Sequence, residues 1–400
     1  MDFTYQDREY QTRLVSSTVG AFINDDEKLG RTLSSVLILS PCGSGKTVTA
    51  MRIIEDLYHQ GYRKVVFIAH RHKLLNQAIS YLKTMGLSER LPELDFRAVS
   101  IYEKDTYSLR NADLVIFDEA HHSACDSGVR LVNRIKPRKY IGLTATNWRS
   151  DRIKLIFERV ITDYGINSLI EQGFLSKYDH YSIDMWTPES VVETYLSDVE
   201  KFGKSIMYFH TTEESESAVQ MLKDAGVAAE SIYGTHSEAS REAIYDRFES
   251  GETKVLCNLI LLTEGADFPD LQSVFVKPSI KGLTIQMGGR ALRLAKGKTH
   301  ANIVQMAGGG YSFTRVANCQ QSFVRRNGNW IRTKLSKEFL QNIGKSTFEY
   351  KLSLARDESA FAKLDLGEIQ KKNAVNMDFL TARRDNPVSL EDLEQISMEV

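Results

Sequence analysis

One local succession constrains this chain more than any other feature. A short branched apolar run, SSVLILS at 34 to 40, leads into a glycine-bearing loop, PCGSGKT, and then into an amphipathic stretch, VTAMRIIEDLYHQG, that stops at Gly61. An apolar run of that length bounded by polar residues reads as a strand covered on both faces, and the stretch behind it reads as a helix. The junction dictates chemistry as well as shape. Gly43, Gly45, Lys46 and Thr47 stand where backbone N–H groups and a helix N-terminus surround a phosphate. There Lys46 reaches the terminal phosphates and Thr47 ligates Mg²⁺. Ser40 occupies the first glycine position of the full G-x-x-x-x-G-K-T pattern, which leaves intact the glycines that shape the turn.

The same alternation continues along the chain. KVVFIAH, AVSIY (98 to 102), DLVIFDEA (113 to 120) and KYIGLTAT (139 to 146) are further strand candidates, with HKLLNQAISYLKTMG as a helix between the first two. Beyond a join near 150 to 178 a second series follows: KSIMYFHT (204 to 211), ESIYGT (230 to 235), KVLCNLI (254 to 260), QSVFVKP (272 to 278) and ANIVQMA (301 to 307). EESESAVQMLKDAG and SEASREAIYDRFESG read as helices, the second capped by Ser237 or Ser240 and stopped by Gly251. Short runs separated by helices predict an α/β fold with two tandem parallel-sheet domains, at 1–160 and 161–310, and a small C-terminal region at 311–400. A length of 400 residues suits two domains and a tail.

The second chemical signal is LVIFDEAHH, an apolar strand ending in two carboxylates, with Asp118 lying 71 residues beyond Thr47. In a parallel sheet its C-terminal end shares an edge with the phosphate loop. Asp118 is then placed to hold Mg²⁺, and Glu119, a further metal candidate, to orient and deprotonate an attacking water. His121 either solvates a helix start or reports nucleotide state to its neighbours, and His122 reads at least as well as a solvated residue. The second domain has no G-K-[ST] loop, so it reads as a partner that senses nucleotide. Its Arg290 and Arg293 share one helix face, which is either solvated or aimed across an interface at the developing phosphoryl charge.

These motifs together resemble the superfamily 2 helicases and translocases of the DEAH-containing group. The resemblance rests on GSGKT, DEAH, Thr144-Ala145-Thr146 at a strand end and Gln286-x-x-Gly289-Arg290-x-x-Arg293, and covers roughly residues 8 to 310. GLTATNWR, LLTEGADFPDLQ and QMGGRALR are similar to the compact repair, restriction-type and phage-encoded enzymes. The resemblance implies two RecA-like P-loop domains, ATP and Mg²⁺ as cofactors, and nucleic acid as partner. It further implies that Arg8, Tyr10 and Gln11 form the adenine-contacting element. His70, Arg71, Ser100, Tyr102, His210, Thr211 and Thr263 match backbone-contacting positions, and Gly265 and Asp267 belong to a motif touching strand and nucleotide. Thr144 and Thr146 would couple hydrolysis to domain movement, and Gln286, Arg290 and Arg293 would complete the ATP site.

Composition limits the partners. The 51 Lys+Arg against 52 Asp+Glu give a net charge of -1, so nucleic-acid binding must rest on local patches. One such patch spans 311 to 345, where Arg315, Arg325, Arg326, Arg332 and Lys334 are interleaved with Phe323 and Trp330. It reads either as a phosphate-binding and base-stacking surface or as the core of a terminal subdomain whose arginines face water. The following 346–400, with 7 basic and 11 acidic residues, reads as packing or a partner-facing tail. Cys42, Cys125, Cys257 and Cys319 form no C-x-x-C pair, which argues against a zinc knuckle or disulfide framework and for a reducing cytoplasm, bacterial or host. No apolar run approaches 18 residues, so neither signal peptide nor membrane span is expected. The expectation is an ATP-driven motor on single-stranded, forked or branched DNA, with an RNA helicase and a nucleotide-dependent clamp as rival readings. A small-molecule kinase fits the loop alone, but not the full motif set.

Overall fold

A computed structural model describes residues 8–123, 125–145, 155, 157–263, 268–298, 300–326 and 328–333. The chain divides into two compact units, Met1–Ile331 and Arg332–Val400. Of the second, only Arg332 and Thr333 are described.

The first sheet contains β1 (Ser35–Leu39), β2 (Lys64–Ala69), β3 (Asp95–Ser100), β4 (Leu114–Asp118), β5 (Lys139–Thr144) and β6 (Arg159–Ile161). Its order is β3-β2-β4-β5-β1-β6, and every neighbouring pair is parallel. Apolar residues lie on both faces because helices cover both. Val36, Ile38, Val65, Phe67, Leu114 and Ile116 pack with the helices Glu9–Ile23, Lys46–Tyr58 and His72–Thr84. Val66, Ile68, Val115 and Phe117 pack with Leu131 and Ile135 of the helix Asp126–Ile135. That two-sided burial is why these strands read as continuous apolar runs rather than alternating ones.

The second sheet contains β7 (Tyr178–Ile183), β8 (Ser205–Tyr208), β9 (Ala229–Ser231), β10 (Val255–Asn258), β11 (Ser273–Val276), β12 (Ala301–Met306), β13 (Ser322–Arg326) and β14 (Asn329–Thr333). The order is β14-β13-β7-β12-β11-β8-β10-β9, with β7 through β12 joined by parallel pairs. Its helices begin as their sequences dictate. Thr211 and Glu214 form a reciprocal capping box on Thr212–Asp224. Ser237 caps Glu238–Ser250, which stops at Gly251 in the left-handed conformation.

Five elements depart from the expected pattern. The helix Glu9–Ile23 buries Tyr10, Leu14, Val15, Val19 and Phe22, a helical spacing within a segment that opens with polar residues. β6 is a three-residue edge strand, and β7 carries alternating polar residues. The pair β13 and β14 extends the second sheet, so a domain boundary at 310 cuts this sheet short of its last strands. β13 pairs parallel to β7 at Ser322 to His180, Phe323 to Tyr181 and Val324 to Ser182.

Candidate functional site

The phosphate-type loop joins β1 to the helix Lys46–Tyr58. Gly43 and Gly45 both hold left-handed φ values, 78° and 79°. Such angles disfavour any side chain, and a Cβ at Gly45 would lie 2.6 Å from Gln11 Nε2 and displace that amide. Ser44 braces the loop from inside, its hydroxyl donating to Pro41 O at 2.7 Å with Ser40 Oγ at 2.7 Å. Ser40, where the full pattern has glycine, is therefore part of the loop's own hydrogen bonding. The first turn of the following helix presents its N–H groups to this concavity, an arrangement suited to an anion.

The helix Glu9–Ile23 closes one side. Tyr10 Oη donates to Ser44 O at 2.6 Å, and Gln11 Nε2 donates to the same carbonyl at 3.1 Å. Arg8 donates to Tyr10 Oη at 3.1 Å, and its guanidinium lies 5.5 Å from the Phe174 ring centre. Phe174 also meets Tyr10 edge-on at 5.3 Å. It belongs to no sequence motif, and nothing local in the sequence marks it.

β4 ends at the same sheet edge. Asp118 is buried, and its Oδ1 accepts the Glu119 N–H at 3.0 Å. Glu119 has φ 50°, an uncommon and strained value for a glutamate, and this turn aims its carboxylate at Lys46, with Nζ to Oε1 3.5 Å. Burial by itself lowers the Lys46 pKa, but Glu119, Cys42 and Asp118 outweigh it and hold the ammonium's pKa above its ordinary value. Glu119 Oε2 is buried without a hydrogen-bond partner, and His121 Nδ1 stands 3.6 Å away. His121 Nδ1 also lies 3.3 Å from Thr144 Oγ1, which ties the carboxylate strand to the end of β5. Thr47 is half-buried in the first helical turn. A buried ammonium, a loop shaped by Gly43 and Gly45, a helix N-terminus and the oxygens of Thr47, Asp118 and Glu119 form a donor set that fits a nucleoside triphosphate with Mg²⁺.

The second sheet contributes to the same place. The helix Lys281–Gly289 runs into the short 3-10 turn Arg290–Leu292, and the helix from Thr284 onward and the turn are buried. Gln286 Nε2 lies 3.5 Å from His121 Nε2. A Cβ at Gly289 would touch Cys42 Cβ at 3.0 Å, and one at Gly43 would meet Arg293 Cγ at 3.1 Å. Arg293 thus lies against the loop, where burial presses its pKa down while Cys42, Tyr81 and Glu119 oppose the shift. Arg290 is also buried, and its charge acts on Lys46. The solvated-face alternative for the two arginines does not hold in this structure.

The strand-contact candidates lie in several settings. His70 meets His122 at a tilt of 41° with ring centres 4.4 Å apart, and His122 meets His121 at 42° and 4.3 Å. Arg71 donates to His70 Nε2 at 3.1 Å and to Leu261 O at 2.9 Å. Ser100 Oγ accepts the Tyr102 N–H, while the Tyr102 side chain is 70% exposed. Thr211 uses its hydroxyl oxygen as the helix cap, and His210 N–H donates to Glu214. Thr146, Gly265 and Asp267 lie outside the described residues, as do the side chains of Thr263 and Arg326.

Two further nucleic-acid candidates, Trp330 and Arg325, pack onto the second domain. Trp330 packs edge-on against Tyr181 at 5.0 Å, beside Phe323 stacked on the same ring at 4.9 Å. Arg325 is held by Glu193 at 2.7 Å and Thr194 Oγ1 at 3.2 Å, with 13% of its side chain exposed. Both join the β13–β14 pair to the second domain. An extra hairpin needs apolar anchors to stay on the sheet, and these residues supply them.

The sequence profile described as "Type III restriction enzyme, res subunit" matches residues 4–108 and 96–149, and that described as "Helicase conserved C-terminal domain" matches 187–295. The chain belongs to the superfamily 2 helicases. It is similar to the 51.5 kDa protein of a Lactococcus phage, isolate 7-9, at 27% identity over 290 residues, covering 66% of this chain and 64% of that one. It is also similar to the putative ATP-dependent helicase IRC3 of Saccharomyces cerevisiae, at 25% identity over 360 residues, covering 75% of this chain and 51% of IRC3. The chain therefore spans between about half and two thirds of these relatives' lengths. Among solved structures, S. cerevisiae Dbp5 bound to RNA and ADP BeF3 superposes with a TM-score of 0.56 at 14% identity, over 80% of this chain and 90% of Dbp5. That likeness establishes the shared architecture of two RecA-like domains. Among the described residues, no helix is long and apolar enough to cross a membrane.

Proposed function

We propose that this superfamily 2 helicase hydrolyses Mg·ATP to drive movement along, or remodelling of, single-stranded, forked or branched DNA. The observation that carries the reading is the meeting of two domains at one loop. Gln286, Gly289 and Arg293 of the second domain lie against His121, Cys42 and Gly43 of the first, and the charge of Arg290 acts on Lys46. Bound Mg·ATP supplies the phosphoryl group and the Lewis acidity of its cation. The chain's own residues do the rest. Gly43, Gly45 and the helix N-terminus hold phosphate oxygens, Lys46 compensates their charge, and Thr47 and Asp118 hold the cation. Glu119 accepts the proton of the attacking water, and Oε2, buried without a hydrogen-bond partner, is the oxygen available for it. Arg290 and Arg293 stabilise charge that develops in the transition state, so hydrolysis requires the domains to be closed.

His121 links this chemistry to both domains through Thr144 and Gln286. The row of ring contacts from His121 through His122 to His70 continues it to Arg71, on the edge where a strand backbone would lie. Tyr102 is the exposed aromatic of that edge and a stacking candidate. The acidic 346–400 is assigned to a protein partner, and the protein to the cytoplasm, on composition.

The test is wild-type ATPase activity and strand separation with single-stranded, duplex and forked DNA and matched RNA. Stimulation by DNA above RNA, with strand separation of forks, supports the reading. Preference for RNA transfers it to an RNA helicase, since the 2′-hydroxyl is what distinguishes the two backbones. Tight ATP-dependent binding with negligible turnover would make the protein a clamp.

A further inference from the structure

The turn carrying the two arginines is held by a side chain outside every motif considered above. Lys298 Nζ donates to Ala291 O at 2.6 Å, to Arg293 O at 2.9 Å and to Pro269 O at 3.3 Å. An ammonium has three N–H donors, and here three main-chain carbonyls accept them. Two of those carbonyls belong to the segment 291–293, which bears or adjoins both arginines. The carbonyl between them, Leu292 O, accepts the Ser176 N–H at 2.7 Å. Three consecutive carbonyls are thus fixed, where the end of a short 3-10 turn would otherwise leave them to water. The chain returns to reach them through Gly297, whose φ of 84° reverses its direction, with the Lys298 N–H on Ala295 O at 3.1 Å. Asp270 and Arg293 both act on the ammonium, and Asp270 is itself paired with Lys204 at 2.7 Å.

We propose that Lys298 is a positioning residue for Arg293: its ammonium fixes the backbone of the arginine turn, and thereby the place of the guanidinium over the phosphate loop. The third bond, to Pro269 O, ties this turn to the segment that leads into β11. Replacing the ammonium by an apolar group leaves carbonyls unpaired and the turn free to shift. A shift of about 1 Å at a transition-state contact is worth up to about a hundredfold in rate. The inference rests on the proposed role of Arg293 in hydrolysis, and the test separates the two.

The experiment is a double-mutant cycle on DNA-stimulated ATP hydrolysis, using the full chain with a single-stranded thymidine oligonucleotide. The proteins are wild type, Arg293→Ala, Lys298→Met and the combination, with Lys298→Gln as a milder variant that keeps two donors. Lys298→Met is expected to lower kcat by between about tenfold and a hundredfold, with KM for ATP within about twofold of wild type. In the Arg293→Ala background it should change kcat by less than about twofold. Lys298→Gln should fall between wild type and Lys298→Met, and it carries the same cycle if the methionine variant does not fold. An equal loss of kcat in both backgrounds would mean a general structural role and overturn the proposal. So would an unchanged kcat in Lys298→Met beside a large loss in Arg293→Ala. If Arg293→Ala itself keeps full turnover, the arginine's role fails first and the positioning role with it.

Discussion

Acid should weaken the second domain through one buried imidazole, His180. It lies in β7 between β12 and β13, aligned with Ile303 on one side and Ser322 on the other. Gln305 Oε1 accepts the Phe313 N–H at 2.7 Å, and Gln305 Nε2 donates to Tyr311 O at 3.2 Å, which fixes the amide's orientation. His180 Nε2, 3.1 Å from that same Oε1, is therefore the donor. Burial lowers its pKa from 6.5 to about 4, and the Gln305 bond only partly opposes this. The folded protein thus prefers the neutral ring, whereas the unfolded chain takes up a proton below pH 6.5. The contribution is complete above about pH 6.5, is lost as pH falls, and is gone below about pH 4. At about 1.4 kcal/mol per pH unit, the full difference is about 3 kcal/mol, of which about 2 kcal/mol is already lost at pH 5.

The assay is urea unfolding of wild type and His180→Gln at pH 7.5 and pH 5. Other groups titrate alike in both proteins, so the difference of differences isolates the imidazole. His180→Gln should cost stability at pH 7.5 but lose about 2 kcal/mol less than wild type on moving to pH 5. Parallel losses in the two proteins would refute the reasoning.

Gly45→Ala forces a left-handed alanine, at about 1–2 kcal/mol, and drives its Cβ into Gln11; affinity for a fluorescent ATP analogue should fall at least about tenfold, and an unchanged Kd would contradict the loop geometry. Trp330→Ala should lower unfolding stability by about 2–3 kcal/mol yet leave affinity for single-stranded DNA unchanged under native conditions; the reverse pattern would restore Trp330 to the nucleic-acid surface.

The central parallel strands of the first sheet were legible because two-sided burial writes continuous apolar runs into the sequence, as in Val115, Ile116 and Phe117. β7 was not, because its polar residues interrupt the apolar run while facing partners within the fold: His180 faces Gln305 at 3.1 Å, and Asp179 faces His300 at 3.1 Å. The β13–β14 pair carried a local sign, Asn327-Gly328 between two short runs, which is a hairpin signal overshadowed by the surrounding arginines. The loop and carboxylate motifs were legible since their chemistry needs fixed local spacing. The approach of Arg293 to Gly43 depends on long-range packing, so spacing alone left its arginines as well suited to solvent as to a site. Lys298 was invisible for a similar reason, since its three acceptors are main-chain carbonyls and no residue type marks them.

The central claim is that one site, built from both domains, hydrolyses ATP in response to nucleic acid. Its most direct test is steady-state hydrolysis of Mg·ATP by wild type and Glu119→Gln, with and without single-stranded DNA, beside ATP-analogue binding by both proteins. The account predicts turnover that DNA stimulates in wild type and that is lost in Glu119→Gln, while binding of the nucleotide persists. Wild-type turnover that no nucleic acid changes, or a Glu119→Gln protein that hydrolyses ATP as fast as wild type, would contradict it.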